Sequence, residues 1–268
     1  MILPIITVCL CIVIPAAIAL YCMAPGKRRD VSDFRGKRYA HRGLHSEKIP
    51  ENSMAAFALA KEKGYGAELD VQMSADHRLV VFHDGTLKRM CGVEGNLKDR
   101  TWDELCKLRL KDTDERIPLL ADVLLSLGDQ TLICEIKSEN GVKNYELCEK
   151  TYDLLKDYPG KWCIESFSPY LSGWFRKNHP EVIRGQLSCV MKDTGYGRAV
   201  NFLLTNLFLD FISRPDFIAY EYRDAKKSPG FRLIRRIFHP FVACYAPKGE
   251  AEIRKAEEDF DTLIFEEG

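Results

Sequence analysis

The sequence predicts an α/β chain: a closed (β/α)8 TIM barrel with a small insertion after its third strand, preceded by one N-terminal transmembrane helix. Three observations carry this. Short apolar runs alternate with helical patterns along nearly the whole chain, and strand–helix alternation implies a parallel sheet. Eight such runs stand out, and 268 residues suit one barrel of about 250 residues plus an appendage. The stretch from Ile2 to Ala24 carries no charge and differs in kind from the rest of the chain.

That stretch is the first element. A helix rising about 1.5 Å per residue crosses a hydrocarbon core of about 30 Å in roughly 20 residues. Pro4 and Pro15 are tolerable in a membrane helix. A cleaved signal peptide fits less well, because no basic region precedes the run and the run is longer than a signal's apolar segment. Residues 1–25 therefore read as an anchor and 26–36 as a basic juxtamembrane linker. Lys27, Arg28, Arg29 and Arg35 lie in that linker, and Lys37 and Arg38 come directly after it. The positive charge on one side of the span places the domain at 37–268 in the cytoplasm, in a single-pass membrane protein. Of the ten cysteines, three lie in the anchor and seven are scattered without a C-x-x-C pair. Buried reduced thiols fit this better than a disulfide framework or a zinc site. The net charge of zero gives no argument for nucleic acid as a partner, and nothing implies a protein partner.

The strand candidates are RYAHRG (38–43), AELDVQMS (67–74), LVVFHD (79–84), LICEIKS (132–138), CIESFS (163–168), VIRGQLS (182–188), FIAYEY (217–222) and FVACYA (241–246). Helical patterns separate most of them. NSMAAFALAKEKG has Asn52 or Ser53 as N-cap and Gly64 as its stop. YELCEKTYDLLKDYPG, SPYLSGWFRKNHP and GEAEIRKAEEDF are similar. Between the third and fourth strands, residues 85–118 are polar and read as a small excursion, after which LLADVLLSLG returns to the barrel. The segment 201–212 is unusually apolar and reads as a core-facing helix or as a lip at the mouth. Residues 226–238 form a basic amphipathic pattern suited to a solvated helix or to anionic lipid.

Chemistry collects at the strand ends. In ELDVQMS a strand places Glu68 and Asp70 on one face, about 7 Å apart. Two like charges so placed need something positive between them. Glu135 and Lys137 in EIK repeat the device. An all-carboxylate set suits one hard divalent cation, Mg²⁺ or Ca²⁺, rather than zinc. The structural alternative is an ionic network with Arg and Lys. His41 ends the first strand and His83 the third, where such barrels carry their active sites, and a histidine pair can supply a general base and a general acid. Arg42 offers a fork of donors for phosphate and Lys137 a point charge. His45, His77, His179 and His239 lack such a setting and read as surface or structural.

The ordered set AHRG…PENS…ELDVQMSADHRLVVFHD…EIK resembles the glycerophosphodiester phosphodiesterase family, over roughly residues 37–268. ESF and RGQLS are similar to the family's later strands. The resemblance implies a TIM barrel with a small insertion after the third strand. It implies His41 and His83 as the catalytic pair, Glu68, Asp70 and Glu135 as metal ligands, and Arg42 and Lys137 as phosphate contacts. Glu51 matches an inner-site acid that holds Arg42. The substrate implied is a glycerophosphodiester, cleaved to sn-glycerol 3-phosphate and an alcohol. Attack by water and attack by the substrate's own 2-hydroxyl both remain open, as does which histidine is the base. A lysophospholipid substrate, cleaved as by a phospholipase D, is the first alternative. A catalytically inactive membrane-tethered binding module is the second. One departure bears on the substrate: the family's last strand carries Trp-Thr-Val at the mouth, where this chain has Cys244, Tyr245 and Ala246. Tyr245 is expected to point to the other face of a regular strand.

Overall fold

The computed structural model describes residues 9–26, 29–138, 141–192 and 194–267. Its strands are β1 (Arg38–Ala40), β2 (Gly66–Met73), β3 (Leu79–Val81), β4 (Leu132–Ile136), β5 (Trp162–Ser166), β6 (Arg184–Ser188), β7 (Phe217–Glu221), β8 (Phe241–Lys248) and β9 (Thr262–Glu266). All but β3 form a ring in the order β1-β9-β8-β7-β6-β5-β4-β2, closed by pairing of β1 with β2. Every pairing in the ring is parallel. The eight-stranded barrel is thus present, with two differences from the sequence reading.

The run 79–84 is not a barrel strand. Leu79–Val81 pairs antiparallel with the end of β2, as the return arm of a hairpin. A short apolar run carries no mark of strand direction, which is why it passes for a parallel strand. The missing eighth barrel strand is Thr262–Glu266, so 241–246 lies in the seventh. The insertion consequently begins directly after the second barrel strand, β2. It has a small core of its own, with Val80, Phe82, Leu87, Met90, Leu97, Leu105, Leu110 and Ile117 buried together.

Alternation along the strands sets the interior. Tyr39, Ile133, Cys163, Phe217, Phe241 and Ile264 point inward near the N-terminal end of the barrel and pack with Phe34, which closes that end. Gly66 belongs to this layer because a Cβ there would stand 2.5 Å from the Tyr39 ring. Residues of the opposite parity, such as Leu69, Val71, Cys134 and Ile136, pack against the surrounding helices. Toward the C-terminal strand ends charged residues take over the inward positions, with Glu68, Asp70, Glu135 and Glu165 buried there.

The helices are α1 (Ile14–Met23), α2 (Met54–Glu62), α3 (Leu120–Leu127), α4 (Tyr145–Leu155), α5 (Pro169–Asn178), α6 (Arg198–Thr205), α7 (Pro229–Phe238) and α8 (Gly249–Asp259), besides shorter turns. Ser53 caps α2, its hydroxyl accepting from Ala56 N at 3.2 Å. Over the described part of the run expected to form a single span, residues 9–24, a five-residue π turn, Cys9–Val13, leads into the ten-residue α1. Among the described residues no helix is long and apolar enough to cross a membrane. Residues 2–8 of that run, and Lys27 and Arg28 of the basic cluster, lie outside the described residues. Ile12, Ile14, Ile18 and Tyr21 are exposed, whereas Met23 is buried beside Leu207, Ile218 and Phe231. Arg214 Nη1 donates to Tyr21 O at 2.9 Å and to Ala24 O at 2.7 Å. Arg214 lies just before β7, so α1 joins the barrel at the end remote from its mouth.

Candidate active site

The period-two alternation of β2 turns Glu68 and Asp70 into the barrel. Register then aligns Asp70 with Glu135 on β4, and Glu135 with Glu165 on β5. Three carboxyls thus stand at one level on three neighbouring strands, which are spaced about 4.8 Å apart. Glu68, Asp70 and Glu135 each offer an oxygen, and these oxygens lie within 4.8 Å of one another. All four acids are buried.

The counter-charges come from the ends of β1 and β4. Lys137 Nζ lies 2.8 Å from Glu135 Oε1 and 3.2 Å from Asp70 Oδ1. Arg42 adopts a left-handed backbone, φ 56°, which is uncommon outside glycine. In this turn its amide donates to Glu68 Oε2 at 2.8 Å. Its guanidinium donates to Glu51 Oε1 at 2.7 Å, and its Nε lies 3.3 Å from Asp70 Oδ2. Asn52, also left-handed at φ 55°, donates from its amide to Asp70 Oδ2 at 2.8 Å.

Electrostatics follow from this geometry. Burial would raise Asp70, but Lys137 and Arg42 reverse it and hold the carboxyl well below the usual range. Burial, reinforced by Asp70, Glu135 and Glu165, pushes Glu68 well up. Burial also lifts Glu135 to about 7, with Lys137 opposing. Four buried carboxyls thus face two cations, Arg42 and Lys137, and Asp70 Oδ1 and Glu165 Oε2 accept no hydrogen bond. A hard divalent cation fits that excess of negative oxygen, and Glu68, Asp70 and Glu135 would hold it.

The histidines flank this cluster. His41 comes directly after β1, and its Nδ1 lies 2.9 Å from Glu266 Oε1 at the end of β9. His83 comes after β3 rather than a barrel strand, and the hairpin folds it back to the mouth, where it feels the charge of Asp70 and Lys137. Its Nδ1 lies 2.7 Å from Asp84 Oδ1. Burial lowers His83 to about 4, against the pull of Asp70. His45 shares the surroundings of His41: its Nε2 is 4.0 Å from Glu266. Two other histidines sit apart, His77 against Glu146 and His179 stacked on Tyr152.

The match to known proteins is specific. The model of the glycerophosphoryl diester phosphodiesterase family matches residues 41–183, more than half of the chain. The chain belongs to this family. A glycerophosphodiester phosphodiesterase of Caldanaerobacter subterraneus is 38% identical over 158 residues, which are 55% of this chain and 65% of that protein. A lysophospholipase D of Rattus norvegicus is 35% identical over 144 residues, 49% of this chain and 44% of that protein. The chain thus spans less than two thirds of the length of these curated relatives. Among solved structures, the glycerophosphodiester phosphodiesterase of Thermotoga maritima superposes with a TM-score of 0.65 at 27% identity, covering 85% of this chain and 93% of that one. A phosphodiesterase of Oleispira antarctica, solved with the product sn-glycerol 3-phosphate, gives 0.70 at 20% identity over 86% and 93%, a likeness of fold.

Within this family barrel, several site residues escape a reading of the sequence. Glu165 stands out there only as part of the ESF match, although its parity equals that of Glu135. Arg89, in the insertion, donates from two nitrogens to Glu51 at 2.8 and 2.7 Å and from Nε to Asp84 at 2.6 Å, linking the insertion to the inner site. Glu266 lies in a strand absent from the eight candidates. Tyr245 faces inward, contrary to expectation: its hydroxyl donates to Ser188 O at 2.7 Å and its ring meets Phe167 edge-on at 6.0 Å. Cys244 is the neighbour that points out, into the cluster with Ile253 and Ala256.

Proposed function

We propose that this chain hydrolyses glycerophosphodiesters to sn-glycerol 3-phosphate and an alcohol. The observation that carries the reading is the convergence at one barrel mouth of His41, His83, the three-carboxylate cluster, Lys137 and Arg42. They come from several different strand ends and loops, and packing alone does not require that set. When bound, a divalent cation supplies Lewis-acid neutralisation of phosphate oxygens. Lys137 and Arg42 add donors for the same oxygens, and Glu51, itself clamped by Arg89, keeps Arg42 in place. In hydrolysis a water oxygen bonds to phosphorus, the bond from phosphorus to the alcohol oxygen breaks, and the water's proton ends on that oxygen. One histidine of the pair takes a proton from the attacking oxygen and the other gives one to the leaving oxygen. Attack by the substrate's 2-hydroxyl needs the same two transfers and leaves a cyclic phosphate, which a water then opens by bonding to phosphorus as the P–O2 bond breaks and O2 takes up a proton.

The apolar run at 2–24 completes the reading as a membrane tether with the barrel in the cytoplasm. Its support is the absence of charge in the run, the basic residues after it, and the exposed Ile12, Ile14 and Ile18. The test of the catalytic reading is phosphorus NMR of the purified full chain with glycerophosphocholine and Mg²⁺ or Ca²⁺. The phosphodiester resonance should give way to that of a phosphomonoester. A folded chain that leaves the diester intact with both cations would overturn the proposal.

A further inference from the structure

His41 and His45 share one acid. His41 follows β1, and its Nδ1 lies 2.9 Å from Glu266 Oε1 at the end of β9. His45 follows after a short turn, and its Nε2 is 4.0 Å from the same oxygen. The turn between them is held in place. Leu44 N donates to Ala56 O at 2.9 Å. Gly43 takes a φ of 75°, and a Cβ there would stand 2.8 Å from Ala56. The backbone thus lies against α2, and His45 returns to the seam where β1 pairs with β9. One ligand atom from each of the three residues lies within 4.8 Å of the others. The three side chains are between 15% and 22% exposed, so the group opens to solvent and an ion can enter.

We infer that His41, His45 and Glu266 form a second cation site, one for Zn²⁺, which shares no residue with the carboxylate cluster and whose occupancy inhibits the enzyme. The donor set argues for the ion. Two imidazole nitrogens and one carboxylate oxygen are a set that zinc takes with its fourth position left open. Mg²⁺ and Ca²⁺ prefer oxygen throughout and belong at Glu68, Asp70 and Glu135. The spacing argues for it as well. Ligands about 2.0–2.1 Å from a tetrahedral zinc stand about 3.4 Å apart. The separations of 2.9 and 4.0 Å found here bracket that value. Lys248 Nζ lies 3.6 Å from Glu266 Oε2, the other carboxylate oxygen, and leaves Oε1 to the two rings.

Inhibition follows from which nitrogen the ion takes. On the phosphodiesterase reading, His41 passes a proton in every turnover. A cation on Nδ1 displaces the proton held against Glu266, and the ring's remaining proton then sits on Nε2. The ring has no free nitrogen left to accept a proton. Giving up the one on Nε2 would leave an anionic imidazolate. Neither role in the acid–base pair is then open to His41. The binding half of the inference rests on the donor geometry, and only the inhibition rests on the phosphodiesterase reading.

The experiment titrates Zn²⁺ into the purified full chain with Mg²⁺ or Ca²⁺ in excess, so that the carboxylate cluster is filled. Calorimetric binding and glycerophosphocholine turnover are read on the same preparation. The native chain should bind one equivalent of zinc and lose turnover in step with occupancy. His45→Gln should weaken zinc binding by at least about a hundred-fold, beyond what loss of an outer-shell partner costs. It should leave zinc-free turnover unchanged and escape the inhibition, with thermal melting confirming the fold. Glu266→Gln, read by binding alone, should weaken zinc likewise. Zinc binding and inhibition that persist unchanged in His45→Gln would place the ion elsewhere and overturn the inference. No zinc bound by the native chain in excess Mg²⁺ would overturn it as well, with the phosphodiesterase reading left standing. Zinc binding that depends on His45, in a folded chain that leaves glycerophosphocholine intact before zinc is added, would support the site and overturn the phosphodiesterase reading instead.

Discussion

Glu266 Oε1 stands 2.9 Å from His41 Nδ1, across the seam where the last barrel strand meets the first. His41 holds Glu266 at about 2, well below the usual carboxyl range, so the acid is an anion at any working pH. An anion at Nδ1 favours the tautomer with its proton there, leaving Nε2 to exchange protons with substrate. Glu266 is thus a positioning residue. Glu266→Ala should lower kcat by about ten- to a hundred-fold with KM changed less than about three-fold. It should also shift the pH profile of kcat. A fall in stability with unchanged kcat would mean that the contact is only structural.

His41→Ala and His83→Ala should each cut turnover of glycerophosphocholine by about 10² to 10⁴. Circular dichroism and thermal melting should show the fold retained, because neither ring belongs to a core cluster. Near-normal rates in either variant would remove that residue from the mechanism.

The Glu51 carboxylate supports a pH prediction for stability. Burial would raise it, but Arg89 and Arg42 outweigh burial and hold it at about 2. A depressed carboxyl contributes stability that is present above its unfolded value of about 4.3 and is lost as pH falls toward the folded value. The contribution is on the order of 3 kcal/mol. Glu51→Gln should therefore be less stable than the native chain near neutral pH, with the gap closing as melts are run from pH 5 down to 2. A gap independent of pH would show that the Arg42–Glu51–Arg89 pairing does not govern it.

Membrane topology is open to a protease added outside intact cells. On the proposed topology, with the basic residues near 27–38 inside, the barrel should resist it and become accessible on permeabilisation. Ready digestion from outside would mean that the domain is exported.

How much of this is legible in the sequence depends on the kind of signal. Glu68 and Asp70 declare themselves because alternation in ELDVQMS puts them on a shared face, apart from Leu69 and Val71, whatever the fold around them. Glu135 and Lys137 do so for the same reason. Strand direction leaves no such trace: LVV in an antiparallel hairpin reads like LVV in a barrel, so β3 passes for a barrel strand and β9 is missed. With β9 goes Glu266. Arg89 is beyond reach because it lies in a polar excursion, where one arginine resembles the next until the fold brings it to Glu51. Tyr245 misleads because its parity is referred to the family's last-strand pattern. Ala243 and Tyr245 share the inward face of β8 with Phe241.

The central claim is that Glu68, Asp70 and Glu135 hold a divalent cation on which phosphodiester cleavage depends. It is tested most directly by chelating the purified full chain and titrating Mg²⁺ or Ca²⁺ back, with calorimetric binding and glycerophosphocholine turnover measured on the same preparation. The native chain should bind one equivalent, and turnover should return in step with occupancy. Asp70→Asn should lose both together. Full turnover in excess chelator, with no cation bound, would contradict the account.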